Sequence, residues 1–140
     1  MSISEILSEI SQISFEYGEA DIQKMYEICN RIEILHNPRA ILPHLFSWFE
    51  KFSAYDVGSP GPFVHFIEGS NDYHELLLES ISKKPTVITL WMVNRLVNSA
   101  VNSSDRDKWL QVLKASFDNP LADEDARQSA IDFLTYQNTK

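Results

Sequence analysis

The chain has 140 residues, 44% of them hydrophobic and 11% aromatic, with a formal net charge of −8. That length and apolar content suit a single domain, residues 1–140, with a real core, and they exclude a disordered chain. The acidity excludes the basic surface that direct DNA or RNA binding requires.

Ile3, Ile6, Leu7, Ile10 and Ile13 recur on a helical period. They predict a first helix from about Ser4 to Glu16, capped by Ser2 or Ser4 and stopped by Gly18. A second helix is expected from about Glu19 to Leu35, with Glu19 and Asp21 in its first turn, where carboxylates complement the helix dipole. Ile22, Met25, Tyr26, Cys29 and Ile32 form its buried side, and Asn37-Pro38 ends it. A third helix, about Arg39 to Phe52, holds Pro43 in its first turn, where a missing N–H does little harm. Ile41, Leu42, Leu45, Phe46, Phe49 and Phe52 turn inward. Trp48 falls off that face, and is either a contact residue or a partly covered surface ring.

The one conspicuous loop is Asp56-Val57-Gly58-Ser59-Pro60-Gly61-Pro62, which holds half of the glycines in the chain. Its prolines and glycines fit a presented loop or a fixed corner between helices; the Lys-Ser/Thr of a phosphate-binding loop is missing. Pro62 can open a short helix through Glu68, closed by Gly69. Asn71 or Asp72 can cap a helix through Ser82, with Tyr73, Leu76, Leu77 and Ile81 inward.

Pro85 to Ser99 is the most apolar run and reads as the central helix. Leu90, Met92, Val93, Leu96, Val97, Ala100 and Val101 cover its broad side. Asn94, Asn98 and Asn102 lie four residues apart on the other, beside Trp91 and Arg95, and predict a polar network against another segment or a partner. Arg95 has no acid in its own helix, so it either finds a carboxylate elsewhere, with Asp56 and Glu68 as candidates, or snorkels to water. Ser103, Ser104 or Asp105 caps the next helix, about Arg106 to Phe117, with Trp109, Leu110, Leu113 and Phe117 buried. After the Asn119-Pro120 break, Asp123 leads a last helix to about Tyr136, with Ala126, Ala130, Ile131, Phe133 and Leu134 inward. The tail from Gln137 to Lys140 is expected to fray.

No segment reads as a strand. The fold class is all-α: short antiparallel helices stacked as an irregular bundle or as a HEAT-like α-solenoid. The start, Met1 to Gln12, has no basic segment or apolar block of the secretory kind, and the central run is too short and polar to span a membrane. The single cysteine, Cys29, allows no internal disulfide, which suits a reducing cytoplasm.

No catalytic motif is present, and neither enzyme activity nor a cofactor is expected. His65, Glu68 and His74 are near in sequence but match no metal-ligand spacing. Cys29 stands on an apolar face and reads as a small core residue.

The stretch from Asp56 to Glu68, Tyr73, Pro85-Thr86 and Trp91-Met92-Val93-Asn94-Arg95 together resemble the small helical bacterial immunity proteins of toxin–immunity systems, including the contact-dependent growth inhibition type. The resemblance covers roughly residues 40 to 115. It implies a cytoplasmic protein that binds a cognate toxin domain, often a nuclease, and blocks it. Contact residues vary within such families, so the resemblance assigns none here.

Charge does point to contact residues, unless the acidity serves only solubility. Residues 1–35 carry −5, residues 36–117 are neutral and residues 118–140 carry −3. Acids attract a basic partner over distance. The expected partner-binding residues are therefore Glu16, Glu19 and Asp21 at one end and Asp118, Asp123, Glu124 and Asp125 at the other, with Trp48 on the middle. The C-terminal group is slightly favoured, because its four acids fall within eight residues around a corner. The alternative reading is a helical-repeat adaptor with another protein partner.

Overall fold

The computed structural model describes residues 2–139. Met1 and Lys140, the ends of the amphipathic start and of the tail, lie outside the described residues. Among those described there are eight α-helices, one short 3-10 helix and one two-stranded hairpin, so the chain is mainly α. It divides into two compact units, Met1–Leu76 and Leu77–Lys140.

The first unit begins with α1 (Ile3–Ser11), where Ser2 accepts from Glu5 N at 3.3 Å as the expected cap. The helix stops five residues earlier than expected, and β1 (Phe15–Glu16) and β2 (Glu19–Ala20) form an antiparallel hairpin where the sequence reads as helix. Ile13 is still buried, so the period of isoleucines persists past the helix that it predicts. α2 (Ile22–Ile32) starts after Asp21, whose carboxylate accepts from Lys24 N at 3.1 Å; Glu19 belongs to the hairpin, not to the first turn. α1 packs on α2, and Glu9 pairs with Arg31 and, at 3.8 Å, with Lys24. A 3-10 helix at Pro38–Ile41 leads into α3 (Leu42–Lys51), with Pro43 in the first turn. α4 (Pro62–Glu68) starts at Pro62, is capped at Gly69 as expected, and packs on α2. The core of this unit is Ile6, Ile10, Met25, Ile28, Ile32, Leu45, Phe49, Phe63 and Ile67. Tyr26, expected inward, is exposed.

Cys29 Sγ donates to Pro62 O at 3.7 Å, and burial, followed by the charge of Glu33, pushes the thiol up to about 12. The folded state therefore holds this proton at pH values where an unfolded thiol releases it. Stability is complete below the unfolded value near 9.0 and falls as pH rises towards 12. A thiol reagent at pH 8 should label Cys29 only after denaturant is added; labelling of the native protein at the rate of a free thiol would contradict this burial.

α5 (His74–Lys83) carries the chain from the first unit into the second. α6 (Val87–Ser99) opens with a capping box of Thr86 and Thr89 that the sequence reading missed. α7 (Ser103–Asp118) is capped by Asn102, which accepts from Asp105 N at 2.8 Å and so leaves the asparagine stripe. α8 (Glu124–Asn138) is capped by Asp123, as expected. α6, α7 and α8 pack pairwise around Met92, Val93, Val97, Trp109, Leu113, Ala126 and Ala130. Val101, Phe117 and Ile131, expected inward, are exposed.

The asparagine stripe does form its network. Gln137 Nε2 donates to Asn94 Oδ1 at 2.8 Å and to Asn98 Oδ1 at 2.9 Å. Arg106 donates to the side chain and backbone oxygens of the same glutamine at 3.3 and 3.2 Å. Gln137, expected in a frayed tail, is 3% exposed. Arg95 lies on the exposed side of α6, so burial does not demand a carboxylate for it.

Candidate protein-binding site

The hairpin is built by its turn. Tyr17 and Gly18 have φ of 51° and 79°, and two consecutive positive φ values give the twist that joins short antiparallel strands. Glycine adopts this without cost; a tyrosine does not, and Tyr17 is 101% exposed at the tip, so no burial offsets the strain.

The register pairs Phe15 with Ala20 and Glu16 with Glu19. Two carboxylates thus stand directly opposite each other. Like charges in that position destabilise a pair by about 0.2–1 kcal/mol. Both glutamates are exposed, and neither carboxylate has a hydrogen bond or ion pair among the described residues. Asp21 follows, and Ser14, Glu16, Glu19, Ala20 and Asp21 line a cleft of about 270 Å³.

Two supports hold the hairpin in place. Phe15 packs its ring on Phe52 and Tyr55, with centroids 4.7 and 4.5 Å away, and stacks on Trp48 at 5.9 Å. On the other strand, Ala20 N donates to Asp56 O and Asp56 N donates to Gly18 O, both at 2.8 Å. The Asp56 carboxylate accepts from Gly58 N at 2.9 Å, so the Pro-Gly loop serves as a fixed corner that braces the hairpin.

Trp48, expected as a contact residue or a partly covered surface ring, is instead buried. It is 5% exposed, with its ring edge-on to Phe63 at 5.2 Å and beside Phe52 at 5.5 Å, and it presents no surface for contact. The position off the α3 stripe is real, but the hairpin that the sequence reading left out covers it.

The C-terminal acids stand at the end of α7 and the start of α8. Asp123 accepts from Ala126 N at 2.9 Å as the cap of α8, and Glu124 and Asp125 lie in its first turn, where they complement the dipole. Asp118 ends α7 and lines a groove between α7 and α8.

The units differ in charge. Residues 1–76 hold twelve carboxylates against four lysines and arginines, giving −8, whereas residues 77–140 hold eight of each. The whole net charge of the chain thus belongs to the unit that carries the hairpin. Asp56 and Tyr17 are the members of this site that sequence reasoning missed. A Tyr-Gly dipeptide between two glutamates was the available signal for the second.

Among the described residues no group of three or more His, Cys, Asp and Glu is placed to hold a metal ion, and His65, Glu68 and His74 do not converge into one. No helix among them is long and apolar enough to cross a membrane. The arrangement suits recognition of cationic side chains. No family model, curated protein or solved structure matches the chain.

Proposed function

We propose that the chain is an immunity protein that captures a basic toxin domain, of the nuclease class, through the acidic hairpin. The observation that carries this reading is the opposed, unpaired pair Glu16 and Glu19 on a braced hairpin, in the unit that holds all of the net charge. A local repulsion that no ion pair among the described residues relieves is relieved when lysines or arginines of a partner dock between the carboxylates. Tyr17 supplies the aromatic anchor of such an interface. The resemblance to helical immunity proteins names the toxin as that partner and the cytoplasm as the place of action. The Asp118 and Asp123–Asp125 group contributes less, because bases balance it within its own unit and three of its members serve the start of α8.

Co-expression with the toxin domain encoded beside this gene tests the reading first: growth should be restored, and a culture that stays arrested rejects the immunity role. Stopped-flow association then tests the site. Reversal of Glu16 and Glu19 to lysine should slow association about tenfold or more at low salt and flatten its salt dependence, since such attraction is screened over roughly 8–10 Å. Reversal of Glu124 and Asp125 should leave the rate within about twofold. Tyr17→Ala should cost about 2 kcal/mol of binding, roughly thirtyfold in Kd. Equal rates for wild type and the hairpin reversal at low salt would move the contact surface elsewhere.

A further inference from the structure

The second unit carries a surface outside the hairpin on which the proposed capture rests. α7 and α8 enclose a groove of about 350 Å³, lined by Lys114, Phe117 and Asp118 from α7 and by Ile131 and Leu134 from α8. The spacing i, i+3, i+4 turns the three α7 residues to one face. Phe117 and Ile131 are 42% and 41% exposed, so a ring and a branched chain meet water at the groove.

We propose that this groove is the interface through which two copies of the chain pair about a two-fold axis. The occupant follows from charge. Lys114 and Asp118 stand one turn apart on the rim, and neither has an ion pair among the described residues. Asp118 also occupies the carbonyl end of α7, where a carboxylate is disfavoured and a cation is wanted. A two-fold interface presents the same patch twice, so the patch must complement itself. Two α7 helices laid antiparallel across an axis at the level of Ser116 satisfy that condition. Each Lys114 then faces the other copy's Asp118, and the two Phe117 rings enter the apolar floor between the pairs. The unit as a whole has equal numbers of acids and bases.

Sedimentation velocity of the full chain over a dilution series, at low and at moderate salt, tests the proposal. Wild type should show a concentration-dependent monomer–dimer equilibrium. Lys114→Glu alone, or Asp118→Lys alone, replaces two attractions by two repulsions and should weaken the dimer about tenfold. The double exchange Lys114→Glu with Asp118→Lys restores opposite charges across the axis, and should return the dimer to within about threefold of wild type. Phe117→Asp should leave a monomer with an unchanged helical circular dichroism spectrum. A wild type that stays monomeric at every concentration overturns the proposal, as does a dimer indifferent to all four variants. A double exchange as weak as the single ones overturns the antiparallel arrangement and the proposal with it.

Discussion

Gly58→Ala is expected to lower the unfolding free energy by about 2–6 kcal/mol. Two costs add. Gly58 has φ of 120°, a conformation that side chains rarely adopt, and such strain costs about 1–3 kcal/mol. An added Cβ would also lie 2.5 Å from Gly61 Cα and 2.9 Å from Gly61 N. These are backbone atoms and cannot swing aside, so the loop itself must move, at a further cost of about 1–3 kcal/mol. Gly61→Ala should behave alike, because its Cβ would meet Val57 O at 2.7 Å at a φ of 91°. Gly18→Ala is the control: its φ is 79° but nothing lies within 4 Å, so only the conformational cost of about 1–2 kcal/mol remains. Denaturant midpoints of the three variants measure the difference. A Gly58→Ala protein within about 0.5 kcal/mol of wild type, the range of ordinary surface sites, would mean that the corner is soft. The same variant should also weaken partner capture, since Asp56 on this corner holds the hairpin through two backbone hydrogen bonds.

Gln137→Leu should cost about 2–4 kcal/mol, although it lies only three residues from the chain end. The leucine keeps the volume but removes the donor shared by Asn94 and Asn98. Asn94 is 9% exposed, so its carbonyl oxygen loses a partner where water has little access, at about 1–3 kcal/mol. The bond from Arg106 to the glutamine side chain is lost as well, although the backbone oxygen of residue 137 still accepts from Arg106. Gln137→Glu should be milder. Asn94 and Asn98 can rotate their amides to donate, and the carboxylate gains a charged hydrogen bond from Arg106. Urea unfolding of both variants is the measurement, and equal midpoints for Leu and wild type would show that the network does not anchor α8.

The helical elements were legible because their signals are local. Four isoleucines and a leucine on one period, a serine before them, Pro62 before a short apolar stretch and Asp123 before α8 each state a propensity or a cap that the backbone meets within a few residues. The acids of the candidate site were legible only as charges. Composition along the chain places Glu16, Glu19 and Asp21 near one another, but not Glu16 opposite Glu19.

That juxtaposition was decided by tertiary structure. Strands of two residues are too short to show alternation, and the hairpin exists because Asp56, far along the chain, supplies the backbone partners that Ala20 and Gly18 use. Once the hairpin forms, Phe15 covers Trp48, and a ring that helical periodicity leaves outside becomes core. Gln137 follows the same logic: amides on α6 and Arg106 on α7 draw in a polar residue that composition assigns to a loose tail. The division at Leu76, inside α5, likewise has no mark in the sequence, and it is what turns an acidic chain into one unit of −8 and one of zero. Short-range preferences thus determined which segments are helices. Pairings between residues distant in sequence decided which polar groups are buried, and which acids stand together without a partner.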